Sequence, residues 1–308
     1  MHVAIVEDGG MRIGLALGGG GLTGTAFHAG VLNALADHID PRQADVIVGT
    51  SAGSTAAALM RSGFPATDYV ARIAGRPMSA EGRAVLGGMP PLSDPGSAAP
   101  GQRRPASPQL VRSVLRRPWR FAPGVALSAF LPAGTRPVDA GAARFSMLFD
   151  QWPVQPTWIV AVALDTGERV VFGREASATV ADAVSASCAV PGYFAPVEIA
   201  GRQYIDGGAH SMVSLDLLAG EGLDLVIVSA PLSTTDWVAG DPGNLPRVAL
   251  RAQLQREARR LRGTRIITVA PDARMRRIMG TNSMVAAKRA PVADAALEYA
   301  RSVFRRAL

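Results

Sequence analysis

The chain has 308 residues, 48% of them hydrophobic, a formal net charge of +7 and one cysteine, Cys188. A lone cysteine excludes an intrachain disulfide framework and a cysteine metal site, and points to a reducing compartment. No apolar run is long enough for a transmembrane helix, so any membrane contact is expected to be peripheral.

The length fits one large α/β domain with an insertion, and we expect residues 1–308 to form that single domain. Met1 to Gly10 has no basic segment followed by an apolar one, so no signal peptide is expected and the protein is placed in the cytoplasm. Arg12 to Leu17 reads as a first buried strand. It runs into Gly18-Gly19-Gly20-Gly21-Leu22-Thr23-Gly24, and a helix follows from about Thr25 to Asp37, with Phe27, Val31, Leu32 and Leu35 on one apolar face. A glycine loop opening a helix presents backbone N–H groups to negative charge. Dinucleotide binding uses that device, and Gly19-x-Gly21-x-x-Gly24 with Asp45 downstream fits its spacing. An oxyanion hole for acyl transfer uses it too.

The next segment favours the second use. Val46-Ile47-Val48 ends in Gly49-Thr50-Ser51-Ala52-Gly53, and a helix-compatible run follows from Ser54 to Arg61. Strand, sharp turn, serine and helix form the layout of a nucleophile elbow, in which Gly49 and Gly53 keep the tight turn free of Cβ atoms. Two adjacent parallel strands would bring Ser51 and the Gly19–Gly21 loop together at their C-terminal ends. A short helix is expected from Ala66 to Ile73.

Residues 75–140 are rich in Pro, Gly, Ser and Arg, and read as a lid or variable insertion, with Ser97 to Pro108 mobile. Arg112, Arg116, Arg117 and Arg120 interleave with Trp119 and Phe121, a composition suited to contact with an anionic membrane or to a solvated surface. Order returns with a strand from Trp158 to Leu164, a turn at Asp165–Glu168, and a partner strand from Arg169 to Phe172. A helix from about Thr179 to Ser187 leads into an apolar turn-rich loop. The short strand Gln203-Tyr204-Ile205 then ends on Asp206-Gly207-Gly208. A serine nucleophile needs a base. Asp206, held by its two glycines, is one candidate, and His210 is the rival. His28 and His38 lie on the first helix and read as structural. Strands at Leu223–Ser229 and Arg265–Ala270 follow, with helices at Val248–Leu261, Asp272–Met279 and Pro291–Arg305.

The glycine loop, serine elbow and Asp-Gly-Gly loop, in this order, resemble the patatin-like phospholipase family. Leu17 to Leu35, including His28-x-Gly30, is similar to its oxyanion strand and helix. Ser185 to Gly208 is similar to its segment leading to the dyad aspartate. Thr23 stands where the family often has Arg or Lys, and the Asn-Pro pair usual after Asp-Gly-Gly is replaced by Ala209 to Ser214.

The resemblance implies a three-layer α/β/α fold around a mostly parallel sheet, carrying a lipid acyl hydrolase of phospholipase A or carboxylesterase type. Ser51 and Asp206 would form the catalytic dyad, with Gly19, Gly20 and Gly21 holding the oxyanion. It implies a fatty-acyl ester as substrate, no metal or cofactor, and no nucleic-acid partner. The alternatives are a catalytically silent lipid-binding relative and a dinucleotide-binding protein.

Overall fold

The structure, a computed structural model, describes residues 10–89, 105–138, 143–237 and 244–308. Most of the N-terminal segment, the turn at Asp94–Gly96 and residues 97–104 of the expected mobile stretch lie outside the described residues. The elements begin with β1 (Ile13–Leu17), α1 (Gly21–Leu35), β2 (Val46–Thr50) and α2 (Ala52–Arg61). Next come α3 (Tyr69–Ala74), α4 (Ala80–Leu86), α5 (Pro108–Arg116) and α6 (Pro123–Ala129). Then follow β3 (Thr157–Ala163), β4 (Arg169–Phe172), α7 (Val180–Ser187), β5 (Val197–Ile199) and β6 (Arg202–Asp206). The chain continues with β7 (Leu225–Ser229), α8 (Asn244–Ala258), β8 (Arg265–Val269), α9 (Ala273–Met279) and α10 (Arg289–Ala307).

Among the described residues, eight strands form one mixed sheet in the order β5-β6-β3-β2-β1-β7-β8, with β4 also paired to β3. The five strands β3, β2, β1, β7 and β8 are parallel, while β4, β5 and β6 run antiparallel to their partners. Every residue of β2, β3 and β7 is buried, which explains their mainly β-branched and aliphatic sequences.

Alternate residues serve opposite layers. Leu15, Leu17, Ile47, Leu225 and Ile227 pack with Phe27, Leu32, Met60, Phe64 and Phe304 from the helices of one face. Ala16, Val48, Val226 and Val228 pack with Leu215, Leu217 and Leu254 on the other. Fully burying a side chain such as Phe304 or Leu32 contributes about 1.5–3 kcal/mol, so these two faces hold the sheet between its helices as the expected three-layer sandwich.

Helix α10 packs closely along α1. A Cβ at Gly30 would lie 2.5 Å from Leu297 N and 2.7 Å from the Ala293 carbonyl oxygen, so glycine is needed for this approach.

Helix boundaries follow local chemistry. Ser79, Ser107, Thr179 and Asp272 each accept an N–H of the first turn of the helix they precede, and Gly75 and Gly87 close α3 and α4 in the left-handed conformation. The described part of the Arg-rich stretch is packed: Leu110, Val114, Val125 and Ala129 are buried against Val162, Leu164 and Ile205 of the sheet.

The register around β3 positions the site. Val160 pairs with both Thr50 of β2 and Val171 of β4, so those strands lie on opposite edges. Ala161 pairs with both Val170 of β4 and Asp206 of β6, so these too lie on opposite edges. Strands β2 and β6 therefore share one edge of β3 and meet end to end, with Thr50 and Asp206 at consecutive rungs.

Candidate active site

Ser51 follows Thr50 directly, so the meeting of β2 and β6 brings it to Asp206. The Ser51 hydroxyl acts on the Asp206 carboxyl, favouring its ionised form, and both residues are buried. Ser51 has φ 52° and ψ −121°, a strained conformation for a residue with a side chain. The flanking glycines make the turn possible. A Cβ at Gly53 would lie 1.9 Å from the Leu17 carbonyl oxygen, and one at Gly49 would lie 2.6 Å from Ser54 Cα. The elbow is thus wedged against the end of β1, beside the glycine loop.

Ser187, at the end of α7, fixes the elbow from the other side. Its hydroxyl accepts the Ser51 N–H at 2.8 Å and donates to the Val160 carbonyl at 2.6 Å. Sequence reasoning assigned Ser187 no role. Its only signal was membership of the segment Ser185 to Gly208 that resembled the family.

Asp206 accepts the Gly208 N–H at 2.7 Å through Oδ1. A Cβ at Gly207 would lie 2.3 Å from the Val160 carbonyl oxygen, so the turn after β6 hugs the sheet end. Burial raises the Asp206 pKa from 3.8 to about 6, against the opposing pull of the Ser51 hydroxyl and the Gly208 N–H. For the rival base His210, burial lowers the pKa, helped by the nearby Arg169 charge and opposed by Asp216.

The glycine loop passes directly beside the serine: a Cβ at Gly19 would lie 3.4 Å from Ser51 Cβ. One expected donor is corrected here. The Gly19 N–H already donates to the Met212 carbonyl at 2.7 Å, and the Gly18 N–H to Ser229 at 2.9 Å. The Gly20 and Gly21 amides, and that of Ala52 after the serine, have no acceptor among the described residues. Gly20 and Gly21 open helix α1, where intrahelical acceptors are lacking.

His28 stabilises this loop from below. It is fully buried, with Nε2–H donating to the Gly18 carbonyl at 2.7 Å and Nδ1 at 2.8 Å from the Ser229 hydroxyl. Burial lowers its pKa to about 4, so the ring is neutral and serves as a strut. Met212 lies between the two loops: its sulfur would sit 3.2 Å from a Cβ at Gly19 and 2.8 Å from one at Gly208. A small cleft beside Gly19 is lined by Met212, Val213, Leu232, Leu250 and Leu254.

The carboxylate that a dinucleotide loop requires is not at this end of the sheet. Asp45 precedes β2 and accepts the Ile13 N–H at 2.6 Å, beside the start of β1.

A family model described as patatin-like phospholipase matches residues 15–219. Among solved structures, the chain is similar to VipD from Legionella pneumophila at 14% identity and a TM-score of 0.47, covering 96% of this chain and 67% of that one. It is also similar to the type III effector protein ExoU at 17% identity and a TM-score of 0.38, covering 96% of this chain and 53% of that one. The matched span runs from β1 through the glycine loop, the elbow and the Asp206 loop, and the chain belongs to the patatin-like phospholipase family.

Proposed function

We propose that the protein is a serine acyl hydrolase that cleaves lipid carboxylic esters with a Ser51–Asp206 dyad. Family membership supports hydrolysis of lipid esters. The observation that supports the dyad is the meeting of β2 and β6, which sets Ser51 at the buried Asp206 carboxyl, beside amides with no acceptor among the described residues. Ser51 Oγ attacks the ester carbonyl carbon as its proton passes to Asp206. The oxyanion is met by the N–H groups of Gly20 and Gly21, with Ala52 N–H as a third donor. Collapse breaks the ester C–O bond, and the leaving alkoxide takes the proton from Asp206. Asp206 then removes a proton from water, which attacks the acyl-serine; the acyl–Oγ bond breaks, Ser51 Oγ takes the proton back from Asp206, and the fatty acid is released. A base with a pKa near 6 is well matched to work at neutral pH.

The test is labelling by a fluorophosphonate probe together with turnover of p-nitrophenyl esters. Wild-type protein is expected to be labelled and active. Ser51→Ala is expected to be folded, unlabelled and inactive. A folded wild-type chain that resists the probe would sink the hydrolase reading in favour of a lipid-binding relative. Full activity in Asp206→Asn with loss in His210→Ala would move the base to the histidine.

A further inference from the structure

Residues 95–138 contain seven arginines, no lysine and no carboxylate, so this stretch alone accounts for the formal net charge of +7. The rest of the chain is balanced, and many of its arginines are ion-paired: Arg42 with Asp40 and Glu81, Arg169 with Asp216, Arg202 with Asp165, Arg301 with Asp37. Arg112, Arg116, Arg117 and Arg120 are exposed and have no ion pair or side-chain hydrogen bond among the described residues.

Large apolar side chains stand among them. Helix α5 turns Leu110 and Val114 into the core, leaving Leu115 68% exposed, and the following turn leaves Trp119 78% exposed. Helix α6 buries Val125 and Ala129 but leaves Leu127 67% and Phe130 48% exposed. A solvated loop has no need of four such residues beside unpaired cations. Tryptophan is the side chain favoured at the headgroup level of a bilayer, and arginine is the one suited to lipid phosphates.

This surface is tied to the site. A Cβ at Gly124 in the first turn of α6 would lie 2.4 Å from the Ala209 carbonyl oxygen. The helix therefore rests on the turn that follows Asp206, backbone against backbone.

We propose that the α5–α6 face is a docking surface for an anionic membrane, with Leu115, Trp119, Leu127 and Phe130 entering the interface and Arg112, Arg116, Arg117 and Arg120 contacting lipid phosphate. It deepens the hydrolase reading, since it would deliver lipid esters beside the Asp206 loop, but its test does not require turnover. The full chain carrying Ser51→Ala is sedimented with vesicles of phosphatidylcholine alone, or of phosphatidylcholine mixed with phosphatidylglycerol. Binding is expected only to the anionic vesicles, to weaken with salt, and to shift tryptophan emission to the blue in a way that Trp119→Phe removes. Each arginine changed to Gln is expected to lower partitioning about fivefold, at about 1 kcal/mol per charge.

Equal binding to both vesicle types, no binding to either, or undiminished binding when all four arginines are Gln overturns the proposal. So does a nucleic-acid fragment that outcompetes anionic vesicles for the same arginines, which would make the face a polyanion site. Turnover of a soluble p-nitrophenyl ester by the Ser51 protein reports the dyad separately. Loss of that activity with anionic vesicle binding intact faults the hydrolase reading alone and supports the docking surface.

Discussion

Replacing Asp206 by Asn preserves the shape of the side chain and removes a charge held out of water. The carboxyl pKa rises from 3.8 to about 6 because burial disfavours the ionised form. In the window between these values the folded protein binds more protons than the unfolded chain, so stability falls as pH rises through it. Below about pH 4 the group is protonated in both states and the fold bears no penalty. Above about pH 6 the full penalty is present. A shift of about two units corresponds to about 3 kcal/mol at about 1.4 kcal/mol per unit.

Asp206→Asn is therefore expected to be inactive yet more stable than wild type by up to about 3 kcal/mol at pH 8, with a gain of only about 1 kcal/mol at pH 4.5. Urea unfolding of both proteins at the two pH values measures this difference, and titrations shared by the two chains cancel. A variant less stable than wild type at pH 8, or a gap that does not change with pH, would refute the claim that ionised Asp206 is held against a desolvation cost.

The same titration should shape catalysis: kcat/KM for a soluble ester is expected to fall about tenfold per pH unit below about pH 6, read from initial rates across pH. Gly53→Ala is expected to destabilise by at least about 4 kcal/mol or to prevent folding, since the new Cβ meets backbone. Gly63→Ala, with nothing within 4 Å of its Cβ and φ +84°, should cost only about 1–2 kcal/mol; similar melting temperatures for the two variants would contradict the wedge at Leu17. His28 has its pKa lowered from 6.5 to about 4 by burial, so its contribution is present above pH 6.5 and is lost as pH falls toward 4. His28→Gln should lack that acid-side slope in unfolding experiments while losing ester turnover.

The central strands and long helices were legible because burial on both faces leaves long apolar runs, as in Trp158 to Ala163 and Leu225 to Ser229. The elbow was legible because its glycines are forced by backbone contacts at Gly49 and Gly53 that no other residue tolerates. Helix α6 was not read. Pro123 at its first position is a start signal, but Gly124 reads as a turn, and its reason is the distant carbonyl of Ala209. Strand β5, only three residues long and directly after Pro196, is too short to show alternation. Helix α1 starts at Gly21 rather than near Thr25 because its first turn is made of the loop glycines themselves. The engagement of Gly19 with Met212 depends on a contact between loops far apart in sequence, which no local pattern reports. The partners of Ser187 and His28 are equally remote.

The shared edge of β3 makes the backbone ladder a ruler for the chemistry. Thr50, which carries Ser51 as its next residue, and Asp206 are separated by a step between neighbouring rungs, a length set by strand geometry rather than by side-chain packing. Deleting one residue inside β6 would turn the carboxylate to the opposite side of the sheet. The spacing of the pair proposed to react is thus written in strand register, where neither side-chain volume nor loop length enters.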